Sequence, residues 1–273
     1  MKLDGRIALV TGTSPNIGGG IAEALAAEGA ALVCVDAAKA NAEDCANAIR
    51  AAGGRAAAKV CDVLDEDQVR RTIAEACAEF GRIDVLVNNA VIFNKKGVLT
   101  MPLAEWEKQI GVILTGAFLF TKHVATSMIE RQVKGAIINI ISTAGHQGEP
   151  NNIAYSTAKC GMLNFTRSAA MELVGHGIRV NSLTPTATDP SESDARAQRW
   201  GRAAPPANAA RDAIFDAYRR GVPMQKLPRP SDYGRAAVFL ASDDSTMMTG
   251  TDLRIDGGAI ARYWAWNPGR DNA

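Results

Sequence analysis

Net charge is almost missing from this chain: 30 Lys and Arg stand against 29 Asp and Glu in 273 residues, leaving +1. That balance offers no basic surface for nucleic acid or for an anionic membrane. Histidine is scarce. His123, His146 and His176 show no metal-ligand spacing, so no metal is expected and the chemistry must come from other side chains. The five cysteines, Cys34, Cys45, Cys61, Cys77 and Cys160, contain no Cys-x-x-Cys pair; reduced thiols acting as small apolar residues are expected, without a disulfide framework. The opening MKLDGRIALVTG lacks the basic segment, apolar stretch and cleavage site of a signal peptide, and no uninterrupted apolar run reaches the length of a membrane helix. These absences point to a cytoplasmic protein whose partner is a small molecule, with no nucleic acid and no membrane among its targets.

What is present is a globular balance, 47% hydrophobic against 22% charged. Short apolar runs alternate with longer Ala-rich stretches of helical period, the pattern of βαβ units. Strands are expected at 7–10, 31–35, 57–61, 85–87, 137–141, 179–183 and 253–255, and helices at 18–28, 41–52, 66–80, 102–130, 153–174 and 231–241. The strands are apolar without alternation, as strands covered on both faces must be. An α/β fold is therefore predicted, a Rossmann-type doubly wound parallel sheet flanked by helices on both faces, forming one domain over residues 1–273. Residues 186–223 break the rhythm with Pro, Ala, Arg and Asp. They are expected as a long irregular insert, either a substrate lid or a surface excursion without a role.

Thr11-Gly12-Thr13-Ser14-Pro15-Asn16-Ile17-Gly18 lies between the first strand and the first helix. Glycines there let the backbone approach a pyrophosphate, and the free N–H groups of the helix can receive it. A Gly-rich turn also serves merely to reverse a chain; its place after the first strand favours Gly12, Ser14, Asn16, Ile17 and Gly18 as cofactor-binding residues. Asp36 closes the second strand. An acid at that point accepts hydrogen bonds from both hydroxyls of an adenine ribose and repels a 2′-phosphate. Ala37, Ala38 and Pro15 supply no cation for such a phosphate, so NAD is expected over NADP. A strand-end Asp is otherwise a common turn former.

Tyr155 and Lys159 stand four apart near the start of a predicted helix and share one of its faces. A cation beside a phenol favours the ionised form and is expected to lower its pKa from about 10 toward neutrality. Ser142 follows the strand at 137–141, where its hydroxyl can meet the phenol over the crevice of an open sheet. In that arrangement Ser142 orients a substrate oxygen, Tyr155 exchanges its proton as general acid/base, and hydride moves at the nicotinamide.

In order and spacing, Thr11-Gly12…Gly18, Asp36, Asp62-Val63, Asn88-Asn89-Ala90, Ser142, Tyr155…Lys159, Arg179-Val180-Asn181…Pro185 and Thr249-Gly250…Asp256-Gly257-Gly258 resemble the short-chain dehydrogenase/reductase family. The resemblance covers about residues 2–258. It implies Asp62 and Val63 at the adenine, Asn89 and Ala90 along the adenosine ribose, Tyr155 and Lys159 at the nicotinamide ribose, and Pro185 with Thr188 at the carboxamide. It also implies a homodimer or homotetramer. Three positions depart from the family. Asn16 replaces the middle glycine of the turn, Asn being tolerant of left-handed backbone. Ile113 replaces an asparagine whose carbonyl holds a relay water beside the lysine, and Thr186 replaces the glycine after Pro185.

Substrate identity is less legible. Ile92, Phe93, Trp200 and the run His146-Gln147-Gly148-Glu149 are candidates for a mixed polar and apolar pocket. The charges of the insert fit an anionic substrate and a solvated helical face equally well. Tyr263, Trp264 and Trp266 in the tail, residues 259–273, either seal the protein's own core or meet a neighbouring subunit. The expected function is an NAD-dependent oxidoreductase acting on a small secondary alcohol or ketone. The alternatives are an NADPH-dependent 3-oxoacyl reductase and a catalytically silent dinucleotide sensor. An enoyl reductase is disfavoured, because that branch of the family spaces its tyrosine and lysine more widely.

Overall fold

Alternate residues of each inner strand feed two different cores. The structure, a computed structural model, describes residues 1–203, 206 and 208–267. In chain order its elements are β1 (Ile7–Thr11), α1 (Ile17–Ala27), β2 (Ala31–Asp36), α2 (Lys39–Ala51), β3 (Ala56–Val60), α3 (Glu66–Phe80), β4 (Val85–Asn88), α4 (Leu103–Ile110), a π-helical turn (Gly111–Thr115) and α5 (Gly116–Glu130). There follow β5 (Ala136–Ile140), α6 (Ile153–Leu173), β6 (Arg179–Pro185), α7 (Pro190–Arg199), α8 (Ala209–Gly221), α9 (Pro230–Ala241) and β7 (Asp252–Ile255). The strands pair in the order β3-β2-β1-β4-β5-β6-β7, every pair parallel. This is the doubly wound Rossmann-type sheet that the sequence predicts.

Ala8, Val10, Leu32 and Cys34 face one core with Ile21 and Leu25 of α1, Ile49 of α2 and Tyr233 of α9. Ile7, Leu9, Val33 and Val35 face the other, with Ile73 of α3 and Phe120 and Val124 of α5. Period-two geometry divides a uniformly apolar strand between two helical layers, which is why these strands show no polar alternation. The sheet order reverses between β1 and β4. The crevice at the C-terminal ends of those strands is where an open α/β sheet receives ligands.

Two expectations about local structure change. The insert is not irregular: it carries α7 and α8, capped by Asp189 and Asn208, whose side chains accept backbone N–H bonds. Arg196 is the one buried residue of α7, and α8 has none, so neither helix adds an apolar face to the core, although Ala210, Ala213, Ile214, Ala217 and Tyr218 recur at helical spacing along α8. Parts of the insert (204, 205 and 207) and of the tail (268–273) lie outside the described residues. The expected helix at 102–130 is a rod broken by the π turn at Gly111–Thr115. An 18-residue window within its 28 residues reaches a mean hydropathy of 1.4, but 56% of that window is buried inside the domain, as in a core helix.

Candidate active site

The glycine turn is built by close approach. Gly12 has φ +72, and a Cβ there would stand 2.8 Å from Ala90 Cα; one on Gly18 would stand 2.0 Å from the Gly12 carbonyl oxygen. Asn89 holds the turn to the end of β4, its Nδ2 donating to the carbonyls of Thr11 at 3.1 Å and Gly12 at 2.8 Å. The backbone N–H groups of Asn89 and Ala90 both donate to Thr11 Oγ1. Asn89 thus fastens the turn through its side chain. Ser14 accepts from the Gly19 N–H through its carbonyl at 2.9 Å, and Ile17 opens α1 and packs on the core.

Asn16 does not use left-handed backbone, since its φ is −85. The turn admits it because its side chain faces outward, where Oδ1 accepts from Ser193 Oγ at 3.0 Å. No side chain caps α1; with the Gly19 N–H on the Ser14 carbonyl, the N–H groups of Ile17 and Gly18, which have no partner within the helix, are left at the crevice mouth. Thr13 Oγ1 is fully buried here with no hydrogen-bond partner among the described residues. A clash-limited glycine cradle, an uncapped helix N-terminus and an orphaned hydroxyl together fit a pyrophosphate. Asp36 ends β2 with Oδ1 accepting from the Ala38 N–H at 2.9 Å. Beyond β3, Asp62 is exposed with Oδ1 on the Leu64 N–H, and Val63 is buried against Gly116.

Ser142 follows β5 in extended backbone, its Oγ accepting from the Ala144 N–H at 3.2 Å. Ser142 also lies near enough to the Tyr155 phenol to favour its ionised form. Lys159 Nζ lies 5.7 Å from the centroid of the Tyr155 ring and donates to the Ile140 carbonyl at 2.6 Å. The structure therefore brings Ser142, Tyr155 and Lys159 together across the junction of β5 and α6. The expected lowering of the Tyr155 pKa is not what the cleft produces. Burial raises it, Ser142 works in the opposite direction and Glu149 adds to the rise. Burial also brings Lys159 down from 10.5 to about 7, because the enclosed ammonium loses its hydration.

Ile113 is fully buried in the π turn, packed with Ala117, Ile141, Ala158 and Met162. A π-helical turn forms here with isoleucine at that position. Gly116 makes room, since a Cβ there would stand 2.6 Å from Val63 Cγ2. A small cavity lies between Ile113, Asn88 and Lys159.

Of the pocket candidates, Phe93 meets Tyr155 edge-on at 5.1 Å between ring centroids. His146 turns to β6 and β7 instead, 3.1 Å from Thr184 Oγ1 and 3.3 Å from Asp252 Oδ2. Pro185 ends β6, and the Thr188 hydroxyl is 3.3 Å from that of the buried Tyr233. Tyr233 also donates to the carbonyl of Thr186, so the start of the insert is fixed from α9, with threonine at the family's glycine position.

Trp200 is not a pocket residue. It packs on Gly19 of α1, and its Nε1 donates to Glu23 at 3.3 Å. Sequence reasoning missed its neighbour Arg196, 3% exposed, which donates to Glu23 at 2.9 Å, to Glu192 at 2.9 Å and to the Pro15 carbonyl at 3.0 Å. Burial works to raise the Glu192 carboxyl, but hydrogen bonds from Ser231 and Arg196 outweigh it and hold it below its ordinary value. Arg202 reaches Asp44 and Asn41 on α2. The first half of the insert is thus strapped to the glycine turn, α1 and α2.

A family profile described as enoyl-(acyl carrier protein) reductase matches residues 12–259. The chain is 39% identical to cis-4-hydroxycyclohexanecarboxylate dehydrogenase of Sinomonas cyclohexanicum, over 94% of this chain and 97% of that one. It is 31% identical to a 3-oxoacyl-(acyl-carrier-protein) reductase of Thermotoga maritima, over 95% of this chain and all of that one. The crystal structure of a short-chain type dehydrogenase/reductase from Mycobacterium marinum superposes with a TM-score of 0.83 at 31% identity, covering 96% of this chain and 97% of that one.

Proposed function

The chain belongs to the short-chain dehydrogenase/reductase family of nucleotide-dependent oxidoreductases, and on that premise we propose that it is an NAD-dependent dehydrogenase of a small secondary alcohol, reversible to the ketone. The observation that carries this reading is the convergence of Ser142, Tyr155 and Lys159 at the end of the sheet whose glycine turn fits a pyrophosphate. Gly12, Ser14, Asn16, Ile17 and Gly18 would hold the pyrophosphate, Asp36 the adenine ribose, Asp62, Val63, Asn89 and Ala90 the adenosine half, and Pro185 and Thr188 the carboxamide. When bound, the dinucleotide supplies the hydride acceptor or donor. Ser142 orients the substrate oxygen and Tyr155 exchanges a proton with it. Lys159, anchored on the Ile140 carbonyl, holds the nicotinamide ribose and, when protonated, favours the phenolate needed to take a proton from an alcohol.

NAD is favoured over NADP because Asp36, Ala37 and Ala38 offer an acid and no cation where a 2′-phosphate would lie. The Sinomonas relative's name directs attention to hydroxylated ring carboxylates as substrates. Phe93 beside Tyr155 supplies an apolar wall for such a ring. The tail favours a homo-oligomer, since Tyr263 and Trp264 are 64% and 86% exposed in the single chain. We place the protein in the cytoplasm, acting on a small molecule.

The test is turnover with NAD⁺ across cyclic, aromatic and hydroxy-acid secondary alcohols, 4-hydroxycyclohexanecarboxylates included, followed by nicotinamide absorbance beside Tyr155→Phe. Turnover that disappears in the variant is expected. Turnover confined to NADPH and a 3-oxoacyl thioester would replace this reading with the reductase named for the Thermotoga relative. Tight NADH binding with silence across both panels would favour a dinucleotide sensor.

A further inference from the structure

Asparagine is among the strongest helix N-cap residues, because its side-chain oxygen accepts from the N–H groups of the first turn. This chain shows the behaviour at α8, where Asn208 Oδ1 accepts from the Ala210 and Arg211 N–H groups, both at 3.1 Å. Asn16 holds the same position on α1 and makes no such bond. Its Oδ1 accepts from Ser193 Oγ of α7 instead, at 3.0 Å. Arg196, one turn further along α7, is buried and fixed on the Pro15 carbonyl and Glu23, which stations Ser193 over the turn.

Of the two N–H groups that a self-capping Asn16 would reach, that of Gly19 is already held by the Ser14 carbonyl, so the Gly18 N–H is the one for which the side chain and a pyrophosphate would compete. A glycine at position 16 cannot compete for it; an asparagine can. We infer that Ser193 is a positioning residue for the dinucleotide, holding the Asn16 side chain off its own helix so that the N-terminus of α1 stays open to phosphate. The insert thereby sets cofactor affinity through one hydrogen bond. This rests on the dinucleotide reading above.

A double-mutant cycle on the full chain tests it, with NADH affinity measured by fluorescence titration and folding checked by thermal melting. Ser193→Ala is expected to weaken NADH binding about fivefold, the factor that an average N-cap bond corresponds to. In the Asn16→Gly background the same substitution is expected to have almost no effect, because no side chain remains to compete. An equal loss in both backgrounds would show that Ser193 merely supports the insert, and would overturn the inference. So would unchanged affinity in Ser193→Ala alone. If the parent protein binds neither NADH nor NADPH, the dinucleotide reading falls first and takes this inference with it.

Discussion

Arg196 Nη1 lies 3.0 Å from the carbonyl oxygen of Pro15, joining the insert to the glycine turn across 181 residues of sequence. The same guanidinium binds Glu23 and Glu192. Removing it leaves two partly buried carboxylates short of a partner, although Arg199 still reaches Glu23. Arg196→Met is therefore expected to destabilise the protein by about 1 to 3 kcal/mol. Urea unfolding measures it, and a midpoint equal to that of the parent would show that α7 is not held this way.

Tyr155→Phe removes the hydroxyl beside Ser142 and leaves the half-buried ring against Phe93. Turnover is expected to fall by roughly 10²- to 10⁴-fold, the usual contribution of a positioned acid/base, with NADH affinity nearly unchanged. A variant retaining most of the parent rate would move the proton transfer to another group.

Lys159 falls from 10.5 to about 7 because burial penalises its cation. Below pH 7 the folded protein carries that buried charge, so the group costs stability in full there. Between about pH 7 and 10.5 the unfolded chain binds more protons than the folded one, and the cost is progressively relieved as pH rises. Lys159→Met is expected to stabilise the protein more at pH 6 than at pH 9, as read from melting at both values. A gain independent of pH would mean that the lysine is not buried as a weakened base.

Asp36 stands at the end of β2, followed by two alanines. Asp36→Ala is expected to narrow the ratio of NADH to NADPH affinity by about tenfold, because carboxylate–phosphate repulsion near 4 Å amounts to roughly 1 to 4 kcal/mol. Titration with both dinucleotides decides it; an unchanged ratio would remove Asp36 from the ribose site.

Tyr263 and Trp264 meet in a tilted ring contact, centroids 5.3 Å apart and planes at 56°, and stay exposed. Replacing both with serine is expected to lower the particle mass in light scattering while leaving the melting midpoint of the protomer almost unchanged, since the rings bury little in their own chain. An unchanged mass with a lowered midpoint would return the tail to its own core.

Much of this protein was legible because its signals are local. Unbroken apolar runs announced a sheet covered on both faces, and α3 has the bounds expected of it, Glu66–Phe80, which the structure closes with Asp65 and Gly81. The spacing of Tyr155 and Lys159 on one helical face likewise depends only on helix geometry. What the sequence hid lies between distant segments. The docking of the insert's first half depends on Arg196, Trp200 and Arg202 reaching the turn, α1 and α2. Asn16 was admitted by a serine 177 residues away, with no left-handed backbone. The Tyr155 pKa was decided by burial, which no i to i+4 spacing reveals. Periodicity and spacing are properties of the chain itself, whereas desolvation and long-range hydrogen bonds exist only once the fold has closed around these residues.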